Sequence, residues 1–265
     1  MSQRFPKVMG ILNVTPDSFS DGGLYQDINL AHKRAMEMLE SGADIIDIGG
    51  ESTRPGAESV SLQEELNRVI PLIKLIKHSQ ANVVISIDTT KYEVAKAALE
   101  TGATMINDVS CLRKEKRLVN LSGEYNVPLI IMHSRNTPKE MLKNADYKNV
   151  VSEVTSELKA AIQFAENEGL NNIMIDPGIG FAKNYCHNIE ILRNLDKFEE
   201  LKYPIVLGIS RKRFIGKMLG LVNPVDRDLA TMMIHSVLLN KNIEIIRVHN
   251  VELAIQLKTI YEELF

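Results

Sequence analysis

KVMGILN at Lys7–Asn13, running on into VTPDSFSDGG at Val14–Gly23, is the stretch on which the fold turns. Its first half is apolar on successive residues, the pattern of a parallel strand buried on both faces. Its second half is a polar loop with Pro, Asp and Ser. A doubly wound dinucleotide sheet would need a helix-opening GxGxxG turn directly after its first strand, and that turn is missing here. The same rhythm then repeats outward along the chain. Apolar runs follow at Asp44–Gly50 (DIIDIGG), Val83–Thr89 (VVISIDT), Met105–Ser110 (MINDVS) and Pro128–His133 (PLIIMH). The last three are Asn172–Asp176 (NIMID), Pro204–Ser210 (PIVLGIS) and Ile243–His249 (IEIIRVH).

Amphipathic stretches separate these runs. Leu62, Leu66, Val69, Ile70, Ile73 and Ile76 form one helical stripe, and Leu253, Ala254, Leu257, Ile260, Tyr261 and Leu264 another. Ser61 with Glu64, Thr90 with Glu93, and Thr137-Pro138 with Glu140 have the spacing of capping boxes. Pro71 predicts a kink or break in its helix. Repeated βα units over 265 residues point to a TIM (β/α)8 barrel, one domain spanning 1–265.

Composition narrows the function. The chain is 45% hydrophobic and 25% charged with a formal net charge of -3, which gives none of the basic excess of a nucleic-acid binder. Cys111 and Cys186 lie in no CxxC or Cys/His pattern, so neither a disulfide framework nor a zinc site is expected. No apolar run reaches the roughly 20 residues that span a bilayer, and no charged-then-apolar leader pattern is present at the start. Cytoplasm is the expected location.

In a TIM barrel the chemistry sits at the C-terminal ends of the strands, and here nearly every strand candidate ends in a side chain able to bind or react. They are Asn13, the run Gly49–Arg54, Asp88, Asn107 with Asp108, His133, Asp176, Ser210–Arg213, and Arg247 with His249. Asp88, Asn107 and Asp176 are short and rigid, suited to a hydrogen-bonding heterocycle. Arg54, Arg247 and His249 supply donors for phosphoryl oxygens. Asn13 can offer one oxygen to a hard cation such as Mg2+, which keeps its waters and leans on substrate phosphates. Structural roles are expected for at least one of Asp44 and Asp47, and for Asp108 as a helix cap. His32, His78 and His235 fall in helix patterns and are not expected to be ligands.

These stretches also resemble a known family. MGILNVTPDSFSDGG at Met9–Gly23 and DIIDIGGESTRPGA at Asp44–Ala57 are similar to the two signatures of dihydropteroate synthases. ISIDT (Ile85–Thr89), INDVS (Ile106–Ser110), DPGIGF (Asp176–Phe181), SRKRFIG (Ser210–Gly216) and RVHNV (Arg247–Val251) follow in the family's order. The resemblance implies condensation of (7,8-dihydropterin-6-yl)methyl diphosphate with p-aminobenzoate, a soluble homodimer and a sulfonamide target. Asp88, Asn107, Asp176 and Lys212 would hold the pterin, with Asp176 on its amino-pyrimidine edge. Asn13 would ligate Mg2+, and Arg54, Arg247 and His249, with Thr53, would bind the diphosphate. Phe19, Phe181, Ser210 and Lys212 would border the p-aminobenzoate site, and Met132 joins the substrate-binding set. Asp88, Lys212, Arg247 and His249 would be catalytic. Asn136, Asn184, Asp226 and Cys111 depart from the family pattern at positions matched to no ligand. A methyltetrahydrofolate–corrinoid methyltransferase would share the pterin contacts but would not need Arg54 or Arg247–His249. A silent pterin-binding protein would not retain Lys212, Arg247 and His249.

Overall fold

A computed structural model describes residues 4–15, 24–52, 56–135 and 146–265, with side chains from residue 28 in the first helix. Strands and helices alternate: β1 (Lys7–Asn13), α1 (Leu24–Glu40), β2 (Ile45–Gly49), α2 (Leu62–Ser79), β3 (Val84–Asp88), α3 (Tyr92–Thr101), β4 (Met105–Asp108), α4 (Leu118–Tyr125) and β5 (Leu129–Met132). There follow α5 (Val150–Asn167), β6 (Ile173–Asp176), α6 (Tyr185–Arg193), α7 (Asp196–Glu199), β7 (Ile205–Leu207), α8 (Arg213–Leu219), α9 (Asp228–Leu238), β8 (Ile243–Val248) and α10 (Val251–Leu264). The strands pair in parallel, each with the next in sequence, and β8 closes on β1. This is the (β/α)8 barrel expected from the repeat.

Period-two geometry explains why apolar strands carry a polar site. Met9, Ile45, Met105, Ile130, Val206 and Ile245, with Met174, pack together as one apolar layer inside the barrel. Two residues further along their strands come Ile11, Asp47, Asn107, Met132, Gly208, Arg247 and Asp176. Asp88 joins this inward set, because it lies beside Asn107 in the ladder. The intervening positions, such as Ile46, Ile48, Ile85, Ile87, Ile131 and Ile175, face outward and merge with the helix faces in the main core.

Local details depart from expectation in four places. Ser61 caps α2, its Oγ accepting from Glu64 N at 3.2 Å, but Thr90 caps nothing: α3 begins at Tyr92 after Lys91. The preceding hydroxyl, Thr89 Oγ1, accepts the Lys91 N–H instead and donates to Glu65. α2 runs unbroken through Pro71. One lost hydrogen bond is outweighed there by the buried Val69, Leu72, Ile73 and Ile76 on either side. Ile260 and Leu264 of the C-terminal stripe are exposed, and only Val251 and Ala254 of α10 are buried. The Thr137–Glu140 box lies outside the described residues. Caps the sequence reading missed are Asn149, Asn184 and Asn250, each accepting a backbone N–H three residues on. Cys111 and Cys186 are free thiols.

Candidate active site

A buried carboxylate organises the floor of the barrel mouth. Asp47 is fully buried, and its Oδ2 accepts from Arg247 Nε at 2.6 Å and from Asn107 Nδ2 at 3.2 Å. Arg247 Nη2 donates to Asp88 Oδ2 at 2.8 Å. One guanidinium therefore ties β8 to β2 and β3. Burial works against its charge, but Asp47 and then Asp88 overcome that and raise its pKa. Asp47 thus plays the structural role expected of one acid in that strand, and plays it beneath the site. Asp44 is also structural: its Oδ2 accepts Val8 N at 2.7 Å.

The same geometry leaves ligand-facing atoms open. Asn107 gives its amide nitrogen to Asp47, leaving Oδ1 available among the described residues. Asp176 Oδ1 accepts Gly178 N at 2.7 Å, and Oδ2 has no hydrogen-bond partner among the described residues. That oxygen faces Gly208, where an added methyl would lie 3.5 Å away, so the bare glycine keeps space in front of it. Asn13 stands at the end of β1, its Oδ1 and Asp88 flanking Gly49. Burial, followed by the charge of Asp47, pushes the Asp88 carboxyl up to about 7 against the pull of Arg247. Burial raises Asp176 to about 6, opposed by the Gly178 N–H, Lys212 and Arg247. Burial and the repulsion of Arg247 lower Lys212 to about 7. Titratable groups of both signs with displaced pKa values in one cleft are a mark of a functional site.

One side of the mouth is lined by an aromatic platform. Lys212 Nζ stands 3.9 Å from the centroid of the Phe181 ring, a cation–π contact. Met132 and Phe181 pack together with Ala182 and Val109. Ser210 Oγ lies 2.9 Å from His249 Nδ1 and accepts His249 N at 3.1 Å, joining the loops after β7 and β8. Asn13, Asp88, Asn107, Met132, Asp176, Phe181, Ser210, Lys212, Arg247 and His249 thus all belong to the C-terminal rim. Phe19, Thr53 and Arg54 lie outside the described residues. The base of the loop that carries Thr53 and Arg54 is described and firmly held: Glu51 pairs with Lys91, which also pairs with buried Glu65, and Arg68 Nη1 donates to Gly50 O at 2.7 Å.

Among the described strand-end residues, Asp108 and His133 are turned away from the mouth by their place in the strand. Asp108, one position past Asn107, points outward. Its carboxylate accepts Ser110 N, Ser110 Oγ and Leu112 N. It closes the turn through Cys111 and Leu112, both at positive φ, and does not cap α4. His133, one past Met132, is fully buried against Lys183 and Glu157. The strand's alternation decides both cases. Among the described residues no group of three or more His, Cys, Asp or Glu side chains is placed to hold a metal ion.

A rim of this kind, with bare carboxylate and amide oxygens beside cations, defines a class of small-molecule barrel enzyme. Residues 9–249 match the family described as pterin binding enzyme, which places the fold and site in that class. The dihydropteroate synthase of Clostridium beijerinckii is 46% identical over 248 residues, 92% of this chain and 88% of that one. The structure of dihydropteroate synthase from Clostridium difficile in the presence of pteroic acid superposes with a TM-score of 0.92 at 41% identity, covering 99% and 98% of the two chains. That of Xanthomonas albilineans with 4-aminobenzoic acid gives 0.91 at 38% identity, covering 100% and 94%. The chain belongs to the dihydropteroate synthase family.

Proposed function

We propose that the barrel mouth condenses (7,8-dihydropterin-6-yl)methyl diphosphate with p-aminobenzoate to give 7,8-dihydropteroate and diphosphate. The observation that carries this is the pairing of open acceptors with a clamped guanidinium. Asp176 Oδ2 and Asn107 Oδ1 have no hydrogen-bond partner among the described residues, while Arg247 is fixed by Asp47 and Asp88 with Nη1 left over among them. Asp176 Oδ2 would accept from the amino-pyrimidine edge of the pterin, a charge-assisted bond. Arg247 Nη1 and His249, with Arg54 and Thr53, would take the diphosphate.

The carbon–oxygen bond to diphosphate breaks, its electron pair leaving with the phosphate, and the aniline nitrogen attacks the exposed methylene. The proton shed by that nitrogen goes to solvent. Fixed positive charge at Arg247 stabilises charge growing on the departing group, and needs no reorganisation during the step. The carboxylates of Asp88 and Asp176 favour positive charge spread over the pterin. The Phe181 ring with Lys212 above it, and Ser210 beyond, offer p-aminobenzoate a flat face and a cation for its carboxylate. Sulfonamides, which resemble that substrate, would compete there. Asn13 would offer one oxygen for Mg2+, which suits an ion held mainly by water and phosphate oxygens. When bound, it would supply charge neutralisation for the leaving diphosphate.

A homodimer in the cytoplasm is part of the same reading. Leu229, Met233 and Val237 recur at four-residue spacing along α9 and are exposed, and Met218, Leu219, Val222 and Val225 before them are exposed too. An apolar face of this kind favours association. Light scattering is expected to give twice the monomer mass, and a monomer at micromolar concentration would rule the dimer out. The activity is tested by mixing the protein with the pterin diphosphate, p-aminobenzoate and Mg2+. Dihydropteroate and released diphosphate in equal amounts are expected, and release of diphosphate without dihydropteroate would refute the condensation.

A further inference from the structure

The segment after β6 (Asp176–Lys183, DPGIGFAK) holds an awkward backbone. Gly178, Gly180 and Ala182 have φ of 69°, 82° and 48°. For Ala182 that conformation is strained, and surroundings must hold it. A methyl on Gly178 would lie 1.8 Å from the His133 carbonyl oxygen, so this segment is laid directly on the end of β5.

Lys183 supplies the holding. It is only 4% exposed. Its Nζ donates to Gly178 O at 3.0 Å and to Phe181 O at 3.0 Å, and lies 2.9 Å from His133 Nδ1. Burial lowers the Lys183 amine to about 7, with the charge of Asp176 foremost in opposing the shift; in its ammonium form it has three N–H donors, and here each has an acceptor. Burial, then the charge of Lys183, lowers His133 to about 4, so its ring is neutral at neutral pH. Its Nε2–H then points to Glu157 Oε2 at 3.1 Å, leaving Nδ1 to accept. Glu157 is paired in turn with Arg113 and with Arg135, whose Nη1 reaches Asp146 O at 2.8 Å. Nothing in the proposed chemistry uses this chain of groups, yet it ends on the carbonyl of Phe181 and on the residue whose N–H orients Asp176.

We infer that Lys183 is a positioning residue for the p-aminobenzoate side of the site: its ammonium, seated on His133, clips the Asp176–Lys183 backbone so that the Phe181 ring stays beneath Lys212. It acts through Phe181 and touches no substrate. The inference rests on the reading of the mouth as a dihydropteroate-forming site.

Lys183→Met keeps the stem and removes all three donors. Its KM for p-aminobenzoate should rise about tenfold, the worth of one hydrogen bond to a charged group. Its KM for the pterin diphosphate should change by less than about threefold, since Asp176 is also held by β6. His133→Asn, which keeps an acceptor near Nδ1, should retain the wild-type KM for p-aminobenzoate, whereas His133→Leu should match Lys183→Met. Both KM values rising together, or a lowered melting temperature with neither KM changed, would overturn the positioning role. If Lys183→Met does not fold, equal KM values for p-aminobenzoate in the two His133 variants would overturn it. A wild-type protein that forms no dihydropteroate would sink the reading of the site and this inference with it. An active wild type with unaltered variants would sink the inference alone.

Discussion

Removing Asp47 should loosen the whole floor of the site, and the size of the effect follows from its contacts. The carboxylate is fully buried and shares Oδ2 between Arg247 and Asn107. Breaking a buried ion pair by deleting one partner costs about 3–5 kcal/mol. Asp88 would still hold Arg247 Nη2, so the lower end, about 3 kcal/mol, applies to Asp47→Ala. In a chain of this length that corresponds to a fall of about 6 °C in melting temperature. The partner substitution Arg247→Met and the double variant complete a cycle in urea unfolding. The coupling between the two residues should be at least about 1.5 kcal/mol, because they share a charged hydrogen bond. Losing Asp47 also removes a charge that raises Asp88, so the Asp88 carboxyl should ionise at lower pH than about 7. A coupling below about 0.5 kcal/mol, the error of additivity for unconnected sites, would refute the clamp.

Other expectations follow from the same geometry. Arg247→Ala should lower turnover by about a hundredfold, the loss typical of one preorganised charge donor; near-wild-type rates would remove it from the leaving-group role. Asp176→Asn should weaken pterin binding in calorimetry by at least about 1.5 kcal/mol, and unchanged affinity would refute the edge contact. Burial works against the Glu157 charge, but hydrogen bonds from His133 and Arg135 pull it from 4.5 down to about 2. A carboxyl lowered in the fold stabilises above its unfolded value and loses that contribution as pH falls through the folded one. The melting-temperature gap between wild type and Glu157→Gln should therefore be constant above pH 4.5 and shrink between pH 4.5 and 2, and a gap independent of pH would contradict the pairing. Asn250→Ala should cost about 1 kcal/mol by removing the α10 cap, measurable as a shift in the urea midpoint.

Much of this was legible in the residues themselves. Continuous apolar runs announced buried parallel strands, and polar residues at their ends announced the rim. Which neighbour at each end faces the mouth was less accessible. Asn107 and Asp108, or Met132 and His133, differ only in the parity of the strand, and parity is set by ladder register with strands far away in sequence. The supporting groups were harder still. Asp47 pairs with a residue 200 positions on, and Lys183 with one 50 positions back, and no local pattern reveals either partner. Glu51, Glu65 and Lys91 likewise come from three separate segments, and only the barrel sets Lys91 between the two carboxylates. The overlooked caps Asn149, Asn184 and Asn250 did carry a local signal, an Asn directly before an amphipathic run.

The central claim is that side chains scattered from Asn13 to His249 form one mouth built for a pterin. A crystal structure of the protein soaked with the pterin diphosphate tests it most directly. The account predicts the pterin ring above the Met9–Ile245 layer, its amino edge on Asp176 Oδ2 and its diphosphate at Arg247 and His249. A ring bound with Asp88, Asn107 and Asp176 left uncontacted would contradict it.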